Sequence, residues 1–142
     1  MNGRQEKFKK IEELKNLLRD PSDPRKSLSL EHIDLRELLK PDGFAKAIVD
    51  EAKVKISQLR KIFAEFKAIY HKYNKNPDEA RYRIYKLYPL IQYQINRGLI
   101  QEKFGDLIFS ILNSLDSNFT EQNFKRIMDF MEALVAYAKQ EK

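Results

Sequence analysis

The stretch from Ser57 to Lys75, S-Q-L-R-K-I-F-A-E-F-K-A-I-Y-H-K-Y-N-K, constrains the fold more than any other. With successive residues advancing about 100°, Leu59, Ile62, Phe63, Phe66, Ile69, Tyr70 and Tyr73 share an arc of about 120°. No strand accommodates that spacing, so the stretch is an amphipathic helix with its apolar stripe in a core. Its other side carries Arg60, Lys61, Ala64, Ala68, His71, Lys72 and Lys75. Two alanines between cationic edges read either as an ordinary solvated face or as a surface that another backbone approaches closely.

The flanking segments extend the same pattern. Phe8, Ile11, Leu14, Leu17 and Leu18 predict a helix over about Arg4 to Arg19, ended at Asp20-Pro21. Pro21 to Ser29, with two prolines and three serines, reads as a loop, which makes the first helix the most detachable element. Glu31 to Leu39 is a short helical piece stopped by Pro41-Asp42-Gly43, and Phe44 to Ala52 is helical again. Val54 and Ile56 then alternate with lysines. Either the chain breaks there, with Ser57 as the N-cap of the next helix, or one helix runs through. Asn76 and Pro77 start a further helix, Pro89 bends or restarts it, and Gly98 suits its C′ position. Phe104 to Leu115 and Phe124 to Ala138 define two more, the last with an apolar arc wide enough for more than one neighbour. The expected fold is all-α, a compact bundle of about five to six helices. Residues 1–30 form its N-terminal helix and proline-containing loop, and residues 31–142 the bundle with a basic face, one domain overall.

The charge is unevenly spread. Residues 44–100 hold twelve Lys/Arg against five Asp/Glu, whereas 1–43 hold ten against nine and 101–142 five against seven. A basic excess confined to the middle third attracts polyanions. Catalysis finds no support: there is no cysteine, the two histidines, His32 and His71, lack a nucleophile context, and the glycines never cluster into a phosphate loop. Glu12-Glu13, Asp50-Glu51 and Asp78-Glu79 diverge by about 100° on a helix, so they do not converge on one substrate. No enzyme activity, cofactor or metal is expected. The opening M-N-G-R-Q-E-K-F-K-K lacks the apolar core of a signal peptide and no run is long enough to span a membrane, so a cytoplasmic location is expected. In A-R-Y-R-I-Y-K-L-Y, Ala80 to Tyr88, the interleaved Arg and Tyr have two readings: half-buried rim tyrosines, or platforms on which single-stranded bases stack.

Three blocks of the sequence carry a resemblance. S-Q-L-R-K-I-F (Ser57 to Phe63), L-Y-P-L-I-Q-Y-Q-I-N-R (Leu87 to Arg97) and N-F-K-R-I-M-D-F-M-E-A-L-V-A-Y-A-K (Asn123 to Lys139) occur in that order. Together they resemble the small helical subunit of type III-A CRISPR effector complexes, the Csm complexes, over about residues 40–140; the first forty residues are not covered. The resemblance implies a non-catalytic subunit, present in several copies, that stacks along the effector filament beside the backbone subunits and the large subunit. It would contact guide and target RNA, both single-stranded, mainly through the sugar-phosphate backbone. Carried over, it makes Gln58, Arg60 and Lys61 RNA contacts with Ser57 at the helix start. Lys53 and Lys55 join by charge and position, and Arg97 and Lys139 close the second and third blocks. Phe130, Leu134 and Tyr137 are read as structural. Two rival roles are a helical adaptor for an acidic protein and a DNA-binding helical domain. The apolar faces of the first and last helices are each expected to support self-association or head-to-tail stacking.

Overall fold

The computed structural model describes residues 7–138, and among them the named elements are all helices. In chain order these are α1 (Lys9–Leu17), a 3₁₀ turn (Leu30–His32), α2 (Leu35–Leu39), α3 (Phe44–Ala52), α4 (Ile56–Lys75), α5 (Pro77–Asn96), α6 (Glu102–Ser117) and α7 (Glu121–Tyr137). The all-α bundle expected from the sequence is the fold, with α2, at five residues, the one very short helix among the seven. The beginning of the first helix, placed near Arg4, lies outside the described residues.

α4 and α5 form a long antiparallel hairpin closed by Asn76. That residue ends the first helix and caps the second, its Oδ1 accepting from the Glu79 N–H at 3.2 Å. The stripe anticipated on α4 is inward: Leu59, Ile62, Phe66 and Ile69 are buried, with Phe63, Tyr70 and Tyr73 packed at its margin. α7 lies against α4 and α3, and α6 against α5 and α1. Phe124, Ile127, Phe130, Met131 and Leu134 are fully buried, and the Tyr137 hydroxyl donates to the Leu39 carbonyl at 2.7 Å. The broad apolar face of the last helix is therefore consumed within one chain and does not serve self-association.

The first helix is likewise committed, contrary to its expected detachability. Phe8, Ile11, Leu14 and Leu18 are buried in the common core. At the N-terminal end of α1, the Glu51 carboxylate of α3 accepts the Lys10 and Ile11 N–H groups at 2.8 and 3.1 Å. At its C-terminal end, the His32 ring is 2.9 Å from the Leu17 carbonyl, which gives that histidine a structural partner. Both ends of a short helix thus have their orphan backbone groups met by residues far along the chain. The loop that follows is pinned too: Leu28 N–H donates to the Leu18 carbonyl at 2.8 Å, and Arg19 and Ser27 form an isolated antiparallel bridge.

A buried polar knot fastens this loop to the far end of the chain. Asn123 is fully buried, and its Oδ1 accepts the Leu30 N–H at 2.8 Å. Its Nδ2 donates to the Asn118 carbonyl at 3.1 Å and lies 3.3 Å from that of Ser114. The Ser114 hydroxyl donates to the Leu28 carbonyl at 2.6 Å, and Asn118 Nδ2 to the Ser27 carbonyl at 2.7 Å. Hydrogen bonds replace apolar contact here because a loop brings its peptide groups with it, and buried ones need partners.

Three local expectations are revised. α4 begins at Ile56 with Lys55 as its N-cap, so Ser57 lies inside the first turn and is not the cap. The break is real, but it is made by Lys53 in the left-handed region (φ 51°) and by burial of Val54 and Ile56. α5 runs through Pro89 without restarting, because Pro89 is exposed and the carbonyl it leaves unbonded can turn toward water. Glu31 to Leu39 divides at Asp34, whose side chain caps α2 through the Arg36 N–H at 2.9 Å. Glycines mark two corners. Gly98 takes φ 71° past the end of α5, with Leu99 N–H reaching the Gln94 carbonyl at 2.9 Å, and a methyl at Gly43 would collide with the Glu37 carbonyl.

Asn123→Ala should lower the unfolding free energy by about 3 kcal/mol, because it orphans several buried groups at once; chemical denaturation measures it, and a loss within experimental scatter would show that the knot is dispensable. Burial holds the Glu51 carboxyl above its ordinary value of 4.5 even though two backbone N–H groups pull it down. The folded state therefore keeps this proton longer than the unfolded chain, and stability from this residue falls as pH rises through the interval just above that ordinary value. Thermal melts of wild type and Glu51→Gln at about pH 4 and about pH 7 should show the difference moving in favour of the glutamine at the higher pH. Movement the other way would mean that the two N–H bonds outweigh desolvation.

Candidate nucleic-acid interface

The segment Lys53 to Ser57 explains its own mixed composition. Between the left-handed Lys53 and the first turn of α4 the chain is extended, with Lys55 at φ −67° and ψ 138°. Side chains of extended backbone alternate in direction. Lys53, Lys55 and Ser57 are accordingly exposed, while Val54 and Ile56 are buried beneath them. The apolar residues seal the base of the hairpin, and the lysines stand over it in water.

One turn further on, Arg60 and Lys61 are also exposed. Lys53, Lys55, Arg60 and Lys61 take part in no ion pair among the described residues. Four exposed cations thus surround a helix N-terminus whose cap residue supplies no side-chain acceptor. That end carries outward-facing N–H groups and the positive end of the helix dipole, so charge and backbone act in the same direction. Further along α4, Lys67 rests over the Phe63 ring at 4.8 Å and Lys72 pairs with Glu79 at 3.5 Å, while Lys75 at the far end is exposed and in no ion pair among the described residues.

Arg97 caps the C-terminal end of α5 and is exposed. Because the hairpin is antiparallel, that end lies with the start of α4, and Arg97 joins the same end of the molecule as Lys53 and Lys55. Lys139 lies outside the described residues.

Gln58 does not belong to this surface. It is 7% exposed, faces the interior of the hairpin, and its Oε1 has no hydrogen-bond partner among the described residues. Gln94, which sits at the matching level of α5, has the same character. The residue expected to touch RNA beside Arg60 is instead part of the helix–helix packing. The cause is periodicity: on the helix Gln58 lies about 40° from the buried Ile62 and about 160° from Arg60, so it falls at the margin of the apolar stripe and points away from that cation.

The Arg/Tyr segment of α5 divides into two faces. On one, Arg81 lies over the Phe119 ring at 4.4 Å and reaches Asp116 Oδ1 at 2.5 Å, and Tyr85 donates to the same carboxylate at 2.8 Å. Tyr88 stacks on Phe109 and donates to Asn113 Oδ1 at 2.6 Å, with burial pushing its hydroxyl up to about 12. This face is occupied by α6 and the turn that follows it. On the other face, Tyr82 and Tyr93 are 60% and 54% exposed. The Arg/Tyr alternation of Ala80 to Tyr88 alone leaves both readings open; the i, i+4 spacing of Tyr82 to Lys86 and Tyr93 to Arg97 marks the outward pairs.

Among the described residues no group of three or more His, Asp or Glu side chains could hold a metal ion, and no helix is long and apolar enough to cross a membrane. A depression elsewhere on the surface is lined by Lys10, Glu13, Asp34, Arg36, Glu37, Lys40 and Asp42, of both signs, and Arg36 is already paired to Asp34 at 3.0 Å.

Comparison with known proteins gives one family. The family model described as Csm2 Type III-A matches residues 34–142, from the N-cap of α2 to the last residue. No curated protein and no solved structure matches the chain. The family match spans well over half of the sequence, includes the whole α4–α5 hairpin and all three blocks noted above, and leaves α1 and its loop outside. The chain belongs to the Csm2 family, the small subunit of type III-A CRISPR effector complexes.

Proposed function

We propose that this subunit is non-catalytic and grips single-stranded RNA, guide or target, by its sugar-phosphate backbone without sequence preference. The observation that carries the reading is the set of four exposed, ion-pair-free cations, Lys53, Lys55, Arg60 and Lys61, around the start of α4. Backbone recognition needs positioned positive charge and outward N–H groups rather than a pocket. In a guide-directed complex, base pairing supplies the sequence and the protein need hold only shape and charge. Ser57, in the first turn, and Arg97, at the same end of the hairpin, complete the surface, and Lys139 extends it by family correspondence. Gln58 is left out, since its side chain is buried.

The same reading places the subunit beside the backbone and large subunits of the effector, in copies stacked head to tail. The apolar faces of α1 and α7 are used inside the chain, so such contacts would have to use other parts of its exposed surface.

Fluorescence anisotropy of a labelled single-stranded RNA across salt concentrations tests the assignment. Each phosphate neutralised contributes about −0.7 to the slope of log affinity against log salt. Arg60→Ala/Lys61→Ala should weaken binding and make that slope shallower by about 1.4. An unchanged slope and affinity would remove this surface from RNA recognition. Gln58→Met should leave RNA affinity unchanged and fold at least as stably as wild type, because replacing an amide whose buried Oε1 has no partner among the described residues with an apolar group of similar shape removes a desolvation penalty. A loss of affinity with intact folding would return Gln58 to the interface.

A further inference from the structure

We infer that the outward face of α5 is a base-stacking ridge for single-stranded RNA, built from two equivalent tyrosine–cation pairs. The Lys86 ammonium lies 5.4 Å from the Tyr82 ring centroid, and the Arg97 guanidinium 5.7 Å from that of Tyr93. In each pair the cation follows the ring by four residues and covers one side of it. Both residues are more than half exposed, so each offers a surface to water. The two pairs are eleven residues apart, which on a helix is about 16 Å along the axis with a rotation of only about 20°. The same unit is thus presented twice on one side of one rigid rod.

An ordinary solvated helix face does not require this arrangement. The other tyrosines of α5 have intramolecular uses, Tyr85 on Asp116 and Tyr88 on Phe109 and Asn113. Tyr82 and Tyr93 make no hydrogen bond among the described residues and pack against no other ring. Leaving two large aromatic rings in water costs free energy that polar residues at the same positions would avoid. Leu90, on the same side between them, is 38% exposed, so the ridge is apolar between its cations.

Charge selects the occupant. Lys86 and Arg97 take part in no ion pair among the described residues. Arg83, beside them, pairs with Glu79 at 3.5 Å, and Glu79 also meets Lys72, so that acid is neutralised. The acid left over is Glu65, across the shallow groove on α4. It would keep phosphates on the α5 side, where Lys86 and Arg97 stand. Alternating rings and cations suit a strand whose bases stack on the rings while its phosphates meet the charges. The ridge also ends at Arg97, at the end of the hairpin where the α4 cations begin, so one strand could pass from the stacking ridge to the phosphate-binding end. The inference rests on the RNA reading proposed above, and it adds recognition of the bases' aromatic faces, independent of their identity.

The test uses the full-length protein and two readouts. In the anisotropy titration, Tyr82→Ala/Tyr93→Ala should weaken binding of a uridine-rich single strand by about five-fold or more for each ring lost, with the salt slope unchanged. Tyr82→Phe/Tyr93→Phe should retain affinity, and an abasic strand of equal length should bind wild type no better than the alanine variant. Photo-crosslinking with 5-iodouridine in the same strand should yield peptide adducts at Tyr82 and Tyr93. Alanine-variant affinity equal to wild type, while Arg60→Ala/Lys61→Ala still weakens binding, would overturn the ridge and leave the backbone reading standing. A wild-type protein that binds no RNA at low salt would overturn both. Both rings are exposed, so the variants should melt like wild type, which separates loss of stacking from loss of fold.

Discussion

The buried amide of Asn123 is the constraint on which the shape of the molecule depends. Its carbonyl oxygen holds the 3₁₀ turn and its NH₂ group holds the α6–α7 corner, so one side chain fixes segments more than ninety residues apart. An apolar residue at this position would fill the space but leave the Leu30 N–H unpaired, at a cost of about 1–3 kcal/mol. With the knot made, Ser114 and Asn118 draw the loop carbonyls of Leu28 and Ser27 down onto α6, and α1 is delivered against α3 and α6. The loop between Pro21 and Ser29 is long but not loose, because its polar groups find partners in the protein.

Closing that side determines which surface stays open. α1 and the loop cover α3 and α6, and α7 covers the apolar stripe of α4. Among the described residues, Tyr82, Lys86, Tyr93 and Arg97 on the outer side of the α4–α5 hairpin stay exposed. This part of the chain is also where the sequence concentrates its positive charge, since residues 44–100 hold twelve of the twenty-seven cations and only five of the twenty-one acids. Outside that segment some cations are matched locally, as in Lys10–Glu13, Arg25–Asp23 and Arg36–Asp34. Exposed local pairs of this kind stabilise a fold only weakly, but they cancel the long-range field. On the hairpin, Lys53, Lys55, Arg60, Lys61 and Arg97 stay unpaired at the end where α4 begins and α5 finishes, and Lys75 and Lys86 stay unpaired further along it, among the described residues.

Helices were legible in the sequence wherever apolar residues recur at three and four, because that spacing has one physical solution. The α4 stripe, the caps at Asn76 and Gly98, and the buried rows of α6 and α7 all follow from it. Less legible were features decided by partners distant in the chain. Nothing near Pro21 to Ser29 announces that its peptide groups will bond to α6, and Glu51, which reads as half of a solvated acidic pair, caps a helix forty residues earlier. The candidate site was legible in part for the same reason. Lys53, Lys55, Arg60 and Lys61 are exposed as their spacing suggests, but a resemblance in a short block cannot tell Gln58 from Arg60, whereas a rotation of about 200° between them does.

The break at Lys53 is what lets one short segment serve both stability and charge display. A continuous helix through residues 44–75 would put Val54 about 200° from Ile56, with only one of them able to face a given neighbour. By taking Lys53 into the left-handed region and extending to Lys55, the chain buries both β-branched residues on one side and turns both lysines to the other. A left-handed conformation is unfavourable for a residue with a Cβ by about 1–2 kcal/mol. Burial of the Val54 and Ile56 side chains, at about 1.5–3 kcal/mol each, more than offsets it. The same turn starts α4 afresh, exposing a new set of N–H groups beside the lysines it has just positioned. Core packing, by forcing the break, thereby sets Lys53 and Lys55 in water beside Arg60 and Lys61.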